Sequence, residues 1–275
     1  MIRLGICNEL FEGWDFAETC QAVKRIGYDG LEIAPFTLAP RVTDLAPSRR
    51  RELKRIVEEE GLQTIGLHWL LARTDGFYLT TPDEATRLRT GDYLVALAEA
   101  TRDLGGTLMV LGSPKQRNLL AGVTTEQAMA YTAEVFERVM PAIGSCGVDL
   151  CLEPLAPSET NFLNTCDQAE DLIARVGHPN LKLHMDVKAQ SGEVGRTVPD
   201  LIARHAGLAG HFHAQDVNLK GPGMGGVDFG PIIKALLASG YDRWVSVEVF
   251  DFSPGAEETA RQSLACLKRE LAAAS

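Results

Sequence analysis

The sequence predicts one (β/α)8 barrel spanning residues 1–275, and three observations carry that prediction. Short apolar, strand-like runs alternate strictly with longer helix-like segments, eight of each. Strict alternation implies parallel strands joined by right-handed crossovers, and eight such units in about 270 residues match a closed barrel. Four of the later runs also close on metal-ligand residue types: LCLEP on Glu153, KLHMD on Asp186, GHFHAQD with His211 and His213, and VSVEV on Glu248. They follow one another at the repeat length of one strand plus one helix, so their polar ends converge on one point. The competing architecture, an open doubly wound sheet, calls for a Gly-rich dinucleotide loop after the first strand, and ICNELFEGW offers none.

The elements follow in order. Ile2–Cys7 reads as the first strand, and Asp15 caps a helix that Gly27 stops. Asp29–Ala34 is the second strand, and Ser48 is the expected cap of the next helix. The basic start and acidic end of that helix oppose its dipole, so its Leu53/Ile56/Val57 face must hold it. Leu62–His68 is the third strand. A longer loop leads to a helix over 82–104, with Thr81 as cap, Pro82 at its first position and Glu84 as the capping-box acid. Thr107–Gly112 and Val148–Glu153 flank a helix opened by Thr124 and running to about Cys146. Helices over 167–176 and 197–205 surround the sixth strand, Leu181–Asp186. Ala209–Ala214, a helix over 229–239, Trp244–Val249 and a helix over 257–271 complete the set. Residues 272–275 are expected to be disordered.

Composition narrows the function. At 45% hydrophobic content the 275 residues bury a large core, and no apolar run reaches the length of a membrane span. The start MIRLGICNEL enters a strand directly, so no signal peptide is expected and the location expected is cytoplasmic. Six cysteines without a CxxC pair read as buried, reduced thiols. A net charge of −10 with no basic stripe argues against nucleic acid as a partner.

Two or three carboxylates and an imidazole at one barrel mouth make a site for a hard-to-borderline divalent metal. Glu248 sits between Val247 and Val249 and Asp186 lies in LHMDV, where an unpaired carboxylate is expensive to bury. His211 and His213 face the same side of one strand, and only one need be a ligand. His184 is a supporting residue of the same kind, and His68 closes the third strand on the active side, within reach of substrate. Trp14, Phe36 and Trp69 follow the first three strands and are expected to wall the non-metal half of the mouth. The Gly221–Gly226 loop, GPGMGG, reads as a phosphate cradle or a lid.

At these residues the chain resembles the xylose isomerase-like TIM-barrel superfamily, in its sugar phosphate isomerase/epimerase branch. That branch includes the D-tagatose/D-psicose ketose 3-epimerases, hydroxypyruvate isomerase and inosose dehydratase. The resemblance covers essentially the whole chain. It rests on EPLxxxETNFLNT from Glu153, the MD at Asp186, HFHAQD from His211, GxGxxVDF from Gly223 and VSVE at Glu248. It implies that Glu153, Asp186, His213 and Glu248 hold one divalent ion, Mn²⁺, Mg²⁺ or Co²⁺. It further implies that Glu153 and Glu248 are the catalytic acid/base pair on opposite faces of a ketose or keto-sugar, working through a metal-stabilised cis-enediolate. Glu159 matches an acid that contacts sugar hydroxyls, and relatives are often dimers or tetramers.

Two positions depart from the epimerase pattern. Ala189 stands where those enzymes carry a histidine, and Leu219 where they carry an arginine. Lys188 and Lys220 lie beside these positions, either as replacement cations or as ordinary loop residues. Lys188 is the preferred substrate contact of the two, and Asp216 and Asn218 are further candidates. The same site on a lyase would eliminate a hydroxyl or glycosyl group from a keto-sugar, keto-inositol or keto-glycoside. An AP endonuclease would need three metals and more histidines than the six present. A non-enzymatic sugar-binding protein is the remaining alternative.

Overall fold

Helix ends are set by local chemistry. Asp15 accepts from the amides of Ala17 and Glu18 to open α1 (Phe16–Ile26), and Gly27 closes it in the left-handed conformation. The second helix, α2 (Pro47–Glu59), starts one residue before Ser48: Pro47 takes the first position, where its missing N–H costs nothing, and Ala46 precedes it. The third, α3 (Glu84–Asp103), is capped by Asp83 instead of Thr81. The Thr81 hydroxyl accepts from the Asp83 amide, and the Asp83 carboxylate accepts from the Thr86 amide. Thr124 and Gln127 form a capping box on α4 (Thr125–Ser145). Thr165 caps α5 (Cys166–Val176).

The structure, a computed structural model describing residues 1–274, arranges eight parallel strands in sequence order as a closed barrel. They are β1 (Arg3–Cys7), β2 (Gly30–Ile33), β3 (Gln63–Leu67), β4 (Leu108–Leu111), β5 (Asp149–Leu152), β6 (Leu181–Asp186), β7 (Ala209–Ala214) and β8 (Trp244–Val247). Beyond the eight expected helices there is a short one, α6 (Val187–Gln190), followed by α7 (Val198–His205), α8 (Phe229–Ala238) and α9 (Ala256–Ala274). Residues 272–274 are therefore helical, and Ser275 lies outside the described residues. No helix among the described residues is long and apolar enough to cross a membrane. All six cysteines are free, and five are buried.

Register stacks the polar residues. Asp186 on β6 lies level with His213 on β7, and His213 lies level with Ser246 on β8. Glu248, two residues past Ser246, therefore faces the same side. Below this layer Ile65, Leu108, Val110, Cys151 and Trp244 form an apolar cluster separate from the main core. Arg3 stacks 4.0 Å from the Trp244 ring. Two glycines permit close approach. A side chain at Gly66 would collide with the Leu108 carbonyl, and one at Gly112 would collide with the Glu153 carboxylate.

Candidate metal and active site

Ligand-type side chains gather at the carboxyl ends of β5 to β8, the end on which barrel enzymes carry their chemistry. Donor atoms of Asp186, His213 and Glu248 all lie within 4.8 Å of one another. Glu153 is not part of that trio, but it lines the same cavity as Asp186 and Glu248. All four side chains are buried. His213 Nδ1 stands 3.4 Å from Glu248 Oε2. Asp186 Oδ1 accepts from the Ala189 amide at 2.6 Å, which caps α6 and fixes the carboxylate. Asp186 Oδ2 and His213 Nδ1 are buried without hydrogen-bond partners.

This electrostatic setting suits a cation. Burial, then Glu248 and Asp186, push the Glu153 carboxyl well above the usual carboxylate range. Burial, then Glu248, push Asp186 up to about 7. Glu248 is shifted the other way: burial is outweighed by His213, which holds its carboxylate below the ordinary value. Burial disfavours a charged His213, but Glu32, Cys7 and Glu248 together outweigh it and raise the imidazole well above its usual range. Three buried carboxylates, an orphaned carboxylate oxygen and an orphaned imidazole nitrogen fit a divalent cation. Asp186 Oδ2, His213 Nδ1, Glu248 Oε2 and the Glu153 carboxylate are the atoms that would hold it.

Beneath the ligands lies a supporting layer, in which the sequence reading placed His184 and missed Glu32 and Glu9. Glu32 of β2 is fully buried and accepts from His211 Nε2 at 2.7 Å. Its two oxygens also stand 3.1 and 3.2 Å from His213 Nε2. With Nε2 donating to Glu32, Nδ1 of His213 is left free for a cation, the arrangement that buried carboxylates impose on metal-binding histidines. Cys7 Sγ lies 3.8 Å from the same Nε2. Glu9 accepts from His68 Nε2 at 2.8 Å, both buried. His184 packs with its ring centroid 4.2 Å from that of His213.

The cavity above measures about 430 Å³. Of the side chains expected at substrate, Trp69, Glu159 and Lys188 line it. Lys188 and Glu159 pair at 2.6 Å, and Trp69 Nε1 donates to Glu248 Oε1 at 3.0 Å. His68, His211, Asp216, Asn218 and Trp14 do not line it. The two histidines are fully buried below, committed to Glu9 and Glu32. Asp216 accepts from the Val227 amide and Asn218 donates to the Met224 carbonyl, so both brace the 217–227 loop. Trp14 is 43% exposed and packs edge-on against Phe11. The Gly221–Gly226 stretch also stays outside the lining: Gly221 packs on Ser263 and Gly225 on Asp216. Lys220 faces Asp251 at 3.7 Å, outside the lining as well.

Three further lining or supporting residues escaped the sequence reading. Gln215 lines the cavity fully buried, and neither its amide oxygen nor its nitrogen has a partner. Phe250 stacks 5.2 Å from Trp69. Arg117 is buried and donates to the Glu153 carbonyl at 2.7 Å; burial lowers its guanidinium to about 10 against the pull of Glu153 and Glu159. Gln215 had a readable signal, since it continues the His211/His213 face by two residues.

Fold and site together define a parallel (β/α)8 barrel with a buried carboxylate–imidazole cluster at its mouth, of a kind that fits a divalent cation. The chain belongs to the xylose isomerase-like TIM barrel family, whose model matches residues 20–270. It is 27% identical over 238 residues to the D-psicose 3-epimerase of Ruminiclostridium cellulolyticum, covering 86% of this chain and 78% of that protein. The solved structure of an L-ribulose 3-epimerase superposes with a TM-score of 0.86 at 24% identity, covering 100% of this chain and 96% of that one. The IOLI protein, solved with a bound zinc atom, superposes at 0.80 with 18% identity over 100% and 99% of the two chains.

Proposed function

We propose that this protein is a divalent-metal-dependent epimerase or isomerase of a ketose or keto-sugar. The observation that carries the reading is the buried trio Asp186, His213 and Glu248, with Glu153 lining the same cavity. The ketose 3-epimerases among its relatives support the substrate class. Mn²⁺, Mg²⁺ or Co²⁺ is the proposed ion. When bound, such an ion polarises the substrate carbonyl and steadies negative charge on the adjacent oxygens.

The chain's own residues supply the proton transfers. Glu153 and Glu248 come from strands separated by β6 and β7, so a substrate between them has one carboxyl on each side. In one direction of reaction Glu248 serves as the base and Glu153 as the acid. Glu248 takes the proton from the carbon beside the carbonyl. The electron pair moves into the enediolate, and Glu153 returns a proton to the opposite face. The reverse reaction exchanges the two roles. Lys188 and Glu159, held as a pair, and Gln215 hold hydroxyl groups. Trp69 and Phe250 offer an apolar wall for the sugar's C–H face.

A second reading, elimination from a keto-glycoside, is favoured by the cavity's shape. Its lining takes in Ser113, Pro114, Lys115, Gln116 and Arg73 besides the ligands, and its volume of about 430 Å³ gives space for a leaving group. Incubation of the Mn²⁺-loaded protein in D₂O with D-psicose, L-ribulose and 3-keto-glucosides tests both readings. Deuterium entering recovered sugar supports epimerisation, and release of aglycone supports elimination. Neither outcome with any of the three cations would defeat the proposal.

A further inference from the structure

Trp69 lies two residues past the end of β3 with φ of 53°, in the left-handed region that side chains other than glycine seldom adopt. The indole contacts two phenyl rings at tilted angles, Phe36 at 5.8 Å and Phe250 at 5.2 Å, centroid to centroid. Its Nε1 then meets Glu248 Oε1 at 3.0 Å. The other oxygen of the same carboxylate, Oε2, faces His213 Nδ1 at 3.4 Å. The two oxygens of Glu248 are thus divided between the indole on one side and the ligand cluster on the other. An indole N–H is a donor only, so it pairs with this carboxylate in a single sense.

We infer that Trp69 is a positioning residue: its indole N–H fixes the rotation of the Glu248 carboxylate, keeping one oxygen toward the cation and the other at the substrate. This rests on the reading of Glu248 as base and ligand given above. A tryptophan serving solely as an apolar wall would need neither the left-handed backbone nor a ring edge aimed at a carboxylate. The two phenyl contacts hold the ring, and the ring holds the acid. The contact crosses the barrel mouth from the loop after β3 to the end of β8, three strands away, so it also ties that loop to the catalytic strand.

Two measurements test the inference. The first needs no substrate. In ¹⁵N-tryptophan-labelled, Mg²⁺-loaded protein three indole signals arise, from Trp14, Trp69 and Trp244, and the Trp69→Phe variant identifies the Trp69 signal. Its N–H should exchange with solvent about tenfold or more slowly than in Glu248→Leu, as a hydrogen bond to a charged group implies. Equal exchange in the two proteins would overturn the inference. The second compares kinetics on the ketose that the wild type turns over. Trp69→Phe keeps the wall and loses the donor, so kcat should fall about tenfold to a hundredfold while KM stays within about threefold. Trp69→Leu should raise KM as well. A Trp69→Phe loss confined to KM makes the indole a wall alone. If the wild type turns over no ketose, the functional reading fails while the exchange measurement still decides the contact.

Discussion

Replacing Glu32 with glutamine tests the buried layer beneath the ligands. Glu32 offers oxygen to two imidazoles at once, His211 Nε2 at 2.7 Å and His213 Nε2 at 3.1 Å. A glutamine keeps one acceptor and turns its NH₂ toward the other ring. If the amide oxygen stays on His211, the NH₂ meets the protonated Nε2 of His213, and donor faces donor. Relief requires His213 to move its proton to Nδ1, the nitrogen 3.4 Å from Glu248 and needed for a cation. Loss of such a supporting carboxylate costs about 10- to 100-fold in metal affinity, or about 1.4 to 2.8 kcal/mol. Calorimetric titration with Mn²⁺ at neutral pH reads the change directly. Glu12→Gln, an exposed partner of Arg73, is the matched control and should change nothing. Thermal melts in chelator separate a folding defect from a binding defect. A Glu32→Gln protein that melts like the wild type and binds Mn²⁺ within about threefold would refute the tautomer argument.

Further outcomes follow from the same geometry. Burial and Glu248 raise Asp186 to about 7, so its stabilising contribution is full below the ordinary carboxylate range and lost as pH rises through about 7. Glu153 is raised too and acts in the same sense. The metal-free protein should therefore lose stability from these two groups across that window, and the melting-temperature gain from added Mn²⁺ should grow from about pH 5.5 to about pH 8. A gain independent of pH in thermal-shift measurements would contradict this. Gln215→Leu should raise KM by roughly tenfold, because a substrate hydroxyl loses its buried partner, with Mn²⁺ affinity unchanged by titration. Glu153→Gln and Glu248→Gln should each lower kcat by about 10²- to 10⁴-fold in a deuterium-exchange assay, and retention of full exchange by either would remove it from the acid/base pair.

The barrel was legible because the signals that carry it are local. Strand cores, glycine stops and the Thr124 and Asp15 caps each act within a few residues. The missed helix starts were local contests, Pro47 against Ser48 and Asp83 against Thr81, in which two good capping chemistries adjoin. Glu153, Asp186, His213 and Glu248 could be picked out because each polar residue ends or interrupts an apolar run. The same signal was present at Glu32, an acid between Leu31 and Ile33. Trp14 was expected at the mouth from its place after β1, but a 3₁₀ turn over Asn8–Phe11 redirects the chain and sets it against Phe11. Arg117 and Trp69 act across the barrel, so only closure of the sheet reveals their partners.

Charge explains why the site takes this form. Glu32 and Glu248 are held ionised, His213 is held protonated, and Asp186 and Glu153 retain protons more strongly than carboxylates in water. A divalent ion entering among them displaces the protons on its ligands. His213, Asp186 and Glu153 each give up a proton to admit one divalent cation, so binding releases up to three protons and tightens as pH rises. Glu32 stands beneath that exchange. It stabilises the imidazolium of His213 when the proton is present, and it orients the neutral ring, through Nε2–H, when a cation replaces it. One buried carboxylate on β2 thus serves the site in both states, although it lies outside the four strands that supply the ligands.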